Sequence, residues 1–324
     1  MKRVTTFAAA LFLFALIGNL AVLAVEDDPN ADNWRTPKTD EELRYWLENM
    51  VWYHDFTSEE IELATGLKPK EIEQALQKFN IAKSTKPRRN PERILFVPYP
   101  GGRHPRIGFL DGAIRPQRET KISVITPWDE SSYVVLDVPE AIWSNLGLTY
   151  LAHTHVPTIF DKQEIKLEKQ EWERRDDGSL FLKRKLPNGI TFTSEVIGKP
   201  DHLRMEMTLT NGTAEKLTGL RVQNCVMLKG AKGFSEQTND NKVIEGPYVA
   251  CRDETGRRWI IVAWQPLNRA WANPPCPCLH SDPQFPDCDP GQTSQVHGWF
   301  SFYEGEDLKT EIKRIDVLKW WEGK

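Results

Sequence analysis

Hydrophobic and polar positions change their spacing several times along the chain. Phe7 to Ile17 is almost wholly apolar behind a basic Met1-Lys2-Arg3, and Val22-Leu23-Ala24 follows with small residues. A spanning helix needs roughly 20 apolar residues, so this shorter run predicts a cleaved secretory signal over 1–24. An acidic arm without periodicity follows over 25–38. From Asp40 the pattern turns helical: Leu43, Trp46, Leu47, Met50 and Val51 make one apolar stripe. Thr57 and Glu60 form a capping box for a second helix that Gly66 can end, and Pro69 opens a third with Ile72, Ala75, Leu76 and Phe79 on its buried face. These three predict a small helical domain over 39–81. Tyr45, Trp52 and Tyr53 fall off the stripe and are free to meet the rest of the chain or a partner.

Beyond a proline-broken segment at 82–93, the spacing becomes two. Strands are predicted at Ile122–Ile125, Tyr133–Val138, Leu148–His155, Ser179–Leu186, Ile190–Ile197, Leu217–Leu228, Arg258–Trp264 and Val296–Tyr303. In His202–Thr210 the alternation is strict, with Leu203, Met205, Met207 and Leu209 on one face. Asp176-Asp177-Gly178, Pro187-Asn188-Gly189 and Asn211-Gly212-Thr213 are hairpin turns. The expected fold is mainly β: a large antiparallel β-sandwich over 94–324 behind the helical domain.

Composition narrows the function. With 324 residues, 40% hydrophobic and 27% charged, the chain can bury a sizeable core. The 42 basic and 46 acidic residues leave a net charge of -4, so no broad positive field draws nucleic acid or anionic lipid. The helix-turn-helix-like pair around Ala64-Thr65-Gly66-Leu67 sits in a strongly acidic segment, which repels phosphate, so the helical domain is read as a packing or partner-docking module. Lys83, Lys86, Arg88, Arg89 and Arg93 make 82–93 a basic linker suited to contacting that acidic head. No later segment is apolar enough to span a bilayer, so after signal removal no membrane contact is expected and the protein is placed as secreted or periplasmic. In such a compartment the five cysteines favour disulfides, at most two within the chain, with connectivity open.

Leu-Pro-Asn-Gly-Ile-Thr-Phe-Thr-Ser-Glu-Val from Leu186, Met-Glu-Met-Thr-Leu-Thr-Asn-Gly-Thr from Met205 and Leu-Thr-Gly-Leu-Arg-Val-Gln-Asn from Leu217, with Pro290-Gly291 ahead of Trp299-Phe300-Ser301-Phe302-Tyr303, resemble the galactose-mutarotase-like β-supersandwich. The likeness extends over 111–315. The full chain is also similar to a group of exported bacterial proteins for which the likeness implies no activity. The resemblance implies a broad concave sheet that binds or processes carbohydrate, without a cofactor. It also implies a histidine acid and a glutamate base for epimerase chemistry, whose histidine motif is not legible here.

Candidate site residues follow from chemistry. His153 and His155 share a strand face and are the first candidates for proton transfer, with Glu304 as a base. Gly147 ahead of this His-x-His gives an alternative, a cupin-like metal site, although the glutamate expected there is missing. Arg106 and Arg118 could grip a carboxylated or sulfated sugar. Residues 266–290, with seven prolines, read as a long functional loop in which Trp271 and His280 border a cleft. Cys276, Cys278, His280 and Cys288 are zinc-ligand types, but their spacing matches no standard zinc module, so a disulfide to Cys288 and no metal is the expectation. A third reading is a noncatalytic envelope scaffold whose helical head docks a partner.

Overall fold

The computed structural model describes residues 34–105, 118–152 and 156–323. Helices α1 (Asp40–Glu48), α2 (Ser58–Thr65) and α3 (Pro69–Phe79) stand at the places the apolar stripe predicts. Thr57 and Glu60 close the capping box on α2, and Gly66 ends it at φ 74°. After α1 the chain makes one π-helical turn, Asn49–Tyr53. That turn delivers Asn49 and His54 to the neighbouring sheet.

Among the described residues fifteen strands follow. They are β1 (Phe96–Pro98), β2 (Lys121–Ile125), β3 (Tyr133–Ser144), β4 (Gly147–Leu151), β5 (Glu173–Arg174), β6 (Leu180–Lys185), β7 (Thr191–Gly198) and β8 (His202–Thr210). The second half supplies β9 (Arg221–Met227), β10 (Lys242–Glu245), β11 (Tyr248–Arg252), β12 (Arg258–Gln265), β13 (Leu267–Asn273), β14 (Cys278–Pro283) and β15 (Thr293–Glu304). Helix α4 (Leu308–Val317) follows β15, and a single 3-10 turn, Trp320–Glu322, comes after it.

The strands form two antiparallel sheets. One runs β1-β2-β3-β9-β14-β13, with β4 also paired to β3; the other runs β10-β11-β12-β15-β8-β7-β6-β5. Between them lies the main core, to which Ile122, Leu136, Val222, Val226 and Leu279 come from the first sheet and Phe192, Leu203, Met207, Ile260 and Phe300 from the second. Because side chains alternate, every second residue of the first sheet points away from this core. The outer face of the second sheet is covered by α4, whose Leu308, Ile312 and Ile315 pack on Tyr248, Trp259 and Trp299.

The helical segment covers one end of the first sheet's outer face, where Tyr53 and Leu95 join Tyr99, Ile125, Tyr133, Val135 and Met227. The contact is polar as well as apolar: Asn49 Nδ2 donates to the Pro98 carbonyl at 2.9 Å. Gly102 lets the chain pass close to α2, since a Cβ there would lie 2.3 Å from the Glu60 carbonyl oxygen. Tyr45 also turns towards the sandwich, with the Arg174 guanidinium 3.5 Å from its ring centre. The basic segment joins both parts: Lys83 pairs with Asp55, Lys86 with Glu130, and Arg89 donates to the Thr126 carbonyl.

His54 is the polar centre of this junction. Its Nδ1–H donates to the Asn49 carbonyl at 3.0 Å and its Nε2 accepts from the Ser123 hydroxyl at 2.6 Å. That arrangement uses the neutral ring, and burial holds its pKa down to about 3. An unfolded histidine titrates near 6.5, so below that pH the unfolded chain binds a proton the native one refuses. Stability should therefore fall with acidification by up to about 1.4 kcal/mol per pH unit between 6.5 and 3. Urea midpoints at pH 7 and pH 5 check this: the drop should be smaller in His54→Asn than in the wild type, and equal drops would contradict it.

Two expectations about the later chain are corrected. Residues 266–290 are not an irregular loop: they carry β13 and β14, which pair from Leu267↔Pro283 to Asn273↔Cys278. The prolines fall just before β13, in the β13–β14 turn, at the end of β14 and in the segment after it, so none sits inside either strand. The expected disulfide is also absent, because among the described residues, which include all five cysteines, no two are bridged. Cys288 is buried beside Leu217 and Gln292, where its thiol donates to the Gln292 carbonyl.

Candidate functional site

The first sheet's outer face gathers polar side chains in register. Lys121 on β2 lies opposite Asp137 on β3, and Asp137 lies opposite Cys225 on β9. The β9–β14 ladder pairs Cys278 with Met227, and one alternation further His280 meets Cys225; His280 in turn pairs with Trp271 on β13. A lateral row Lys121–Asp137–Cys225–His280–Trp271 thus crosses five strands.

The inner part of this row is sealed. Lys121 Nζ and Asp137 Oδ2 form an ion pair at 2.9 Å with side chains 1% and 0% exposed. Asp137 Oδ1 also accepts from the Thr120 hydroxyl at 2.6 Å. His280 Nδ1–H donates to the Asn224 carbonyl at 2.7 Å, while Nε2 lies 3.1 Å from Cys278 Sγ. Burial alone would lower the His280 pKa, but the Cys225 sulfur beside it, with Glu140 and Asp282, raises it to about 9. The Trp271 indole stacks on the imidazole with ring centres 3.9 Å apart and planes 8° from parallel.

The outer part opens to solvent at the β13 edge. Asp282 Oδ2 accepts from Trp271 Nε1 at 2.8 Å and from the Arg269 guanidinium at 2.8 and 3.1 Å, while Oδ1 accepts from the Asn224 N–H at 3.1 Å. Arg269 also reaches Gln223 Oε1, and Gln223 Nε2 donates to Glu140 Oε2 at 2.9 Å. Glu140 reaches this face because β3 is irregular between Asp137 and Ala141, next to the cis bond before Pro139. Burial raises the Asp282 pKa against the opposing pull of His280, Trp271 and Arg269. Gln223, Arg269 and Asp282 of this network, together with Trp143, Arg221 and Asn268, border a depression of about 520 Å³.

The residues singled out in the sequence are distributed as follows. Trp271 and His280 are brought together in the row. Arg118 is buried at the helical junction, where it pairs with Glu171 at 2.7 Å and lies 4.1 Å over the Trp46 ring, away from the β13 depression. Glu304 ends β15 in the opposite sheet and accepts from Trp128 Nε1. His153, His155 and Arg106 lie outside the described residues; the residue before the histidine triplet, Ala152, donates its N–H to the Glu140 carbonyl. Sequence reasoning missed Glu140, Gln223, Arg269 and Cys225. The one available signal was the alternation Cys278-Leu279-His280-Ser281-Asp282, which the flanking prolines obscure.

No family model matches the chain, and no curated protein matches it. Among solved structures, it is similar to a provisionally named kojibiose phosphorylase from the human microbiome, with 7% identity and a TM-score of 0.36 over 71% of this chain and 28% of that one. The chain therefore spans less than a third of the phosphorylase's length. It is also similar to the Slr1438 protein of Synechocystis sp. PCC 6803, at 11% identity and TM-score 0.35 over 57% of this chain and 88% of that one. A provisionally named aldose 1-epimerase from Escherichia coli K12 matches at 10% identity and TM-score 0.33 over 57% and 96%.

Proposed function

We propose that the protein binds carbohydrate on the outer face of its seven-stranded sheet, at the β13 edge, as a carbohydrate-binding or carbohydrate-processing protein exported behind residues 1–24. The carrying observation is the linked set Glu140–Gln223–Arg269–Asp282 beside the Trp271 and Trp143 indoles. Sugars present dense hydroxyl donors and acceptors on one side and C–H faces on the other. Carboxylate, amide and guanidinium groups on a rigid sheet serve the first, and indole faces serve the second. A depression of about 520 Å³ has the size of a one- or two-ring ligand. The sequence resemblance to galactose-mutarotase-like sandwiches supports the same reading. For a processing reaction, Asp282 is the candidate for proton exchange, since burial raises its pKa against the pull of His280, Trp271 and Arg269.

A glycan array of neutral and acidic saccharides, followed by calorimetry on the best ligand, tests this. Arg269→Ala and Asp282→Asn should each weaken binding at least about tenfold, or about 1.4 kcal/mol. An array without a hit, or affinity unchanged in both variants, would refute the proposal.

A further inference from the structure

Behind the polar edge, Cys225, Cys278 and His280 form a cluster that the carbohydrate reading does not use. Their donor atoms all lie within 4.8 Å of one another, and all three residues are buried. The backbone dictates this meeting. Cys278 and His280 are two apart on β14 and so share a face, and Cys225 occupies the adjoining position on β9.

We propose that Cys225, Cys278 and His280 bind a thiophilic d10 metal ion, Zn(II) or Cu(I). Two thiolates and an imidazole are the soft donor set these ions take. Tetrahedral zinc with sulfur at about 2.3 Å and nitrogen at about 2.0–2.1 Å needs donors about 3.5–3.8 Å apart, a small adjustment from the present spacing. Second, the ring is oriented as a ligand: the Asn224 carbonyl takes the Nδ1 proton at 2.7 Å, which leaves Nε2 aimed at Cys278 Sγ. Metal-binding histidines are held in this way, with the non-ligating nitrogen bonded to a carbonyl or carboxylate. The Asp282 carboxylate stands 3.9 Å from the same Nδ1, adding negative charge behind the ring. Trp271 stacked on the imidazole shields the cluster from solvent. Three protein ligands leave a fourth place for water or a ligand donor. Binding releases the thiol protons, so occupancy should rise with pH.

The test uses the full chain, expressed without an affinity tag that binds metal and purified under reducing conditions. Elemental analysis should find near-stoichiometric zinc or copper that survives dialysis, and the element found distinguishes the two ions. Cys278→Ser and His280→Asn should each reduce it roughly tenfold or more. Should either variant fail to fold, the wild type alone decides. Cobalt(II) added to the metal-depleted protein should give a thiolate-to-cobalt charge-transfer band, and bound metal should protect Cys225 and Cys278 from alkylation. A wild type free of metal that shows no such band, equal alkylation with and without metal, or a Cys225–Cys278 disulfide in freshly isolated protein would each overturn the proposal. Sugar binding is read separately, so loss of the metal site and loss of carbohydrate binding are distinguishable outcomes.

Discussion

Lys121→Ala should destabilise the protein by about 3–5 kcal/mol, the largest effect expected of any single substitution outside the apolar core. The reason is the environment of its partner. Lys121 and Asp137 lie on facing positions of β2 and β3, their charged atoms 2.9 Å apart and withdrawn from water. Taking away the ammonium removes the ion-pair partner of a carboxylate whose side chain is wholly buried. Replacing both residues, Lys121→Met with Asp137→Leu, removes both buried charges together and should recover most of the loss. Urea unfolding of the two single variants and the double variant measures the pattern. A Lys121→Ala protein within 1 kcal/mol of the wild type would show that the pair is solvated.

The second large effect is expected at Arg103, which fastens the helical segment to the first sheet. Its guanidinium forms a two-pronged pair with Glu60 at the start of α2, donates to the His54 carbonyl at 3.2 Å and to the Tyr133 hydroxyl at 3.1 Å, and lies 4.5 Å over the Phe56 ring. The Glu60 and Tyr133 contacts outweigh burial and hold its pKa above the usual arginine value. Hydrogen bonds to charged groups contribute about 1.5–3 kcal/mol, so Arg103→Ala should cost about 2–3 kcal/mol. Arg103→Lys should recover only part of it, because an ammonium cannot reproduce the fork. Because the lost contacts all lie at the junction, proteolytic nicking in 82–93 should rise more than nicking within the sheets. Unchanged stability together with unchanged nicking would show that apolar packing alone holds the helices in place.

How much of this was legible in the sequence depended on whether a segment's environment was one-sided. His202–Thr210 was read residue for residue because one face meets the core and the other meets solvent along its whole length. The α2 capping box and the Gly66 stop were equally clear, since a helix terminus is specified by neighbouring residues. The strand expected over Tyr133–Val138 in fact runs on to Ser144, through an irregularity that simple alternation does not reveal. In β13 and β14 the abundance of prolines concealed the alternation, though within the two strands the one proline, Pro283, stands at the end of the ladder. The α4 helix did carry a signal, with Leu308, Ile312 and Ile315 on one face behind an Asp307 cap, but it is a single short stripe after a long β region.

The site was harder to read for a different reason. Glu140, Gln223, Arg269 and Asp282 come from β3, β9, β13 and β14, and nothing local in the sequence links them. Only the strand order brings them side by side. Cys225 meets Cys278 and His280 in the same way, which is why cysteine spacing pointed instead to a bridge with Cys288. Local chemistry did find Trp271 and His280, and the sheet supplied the partners that give them a role.

The central claim is that the outer face of the first sheet, at its β13 edge, receives a carbohydrate. Hydrogen-exchange mass spectrometry with and without the highest-affinity glycan tests it most directly, because it reports where the ligand sits. The account predicts slowed exchange in 221–227 and 267–283, with little change in the strands of the second sheet. Protection confined to the second sheet or to the helical segment, with none in those two stretches, would contradict it.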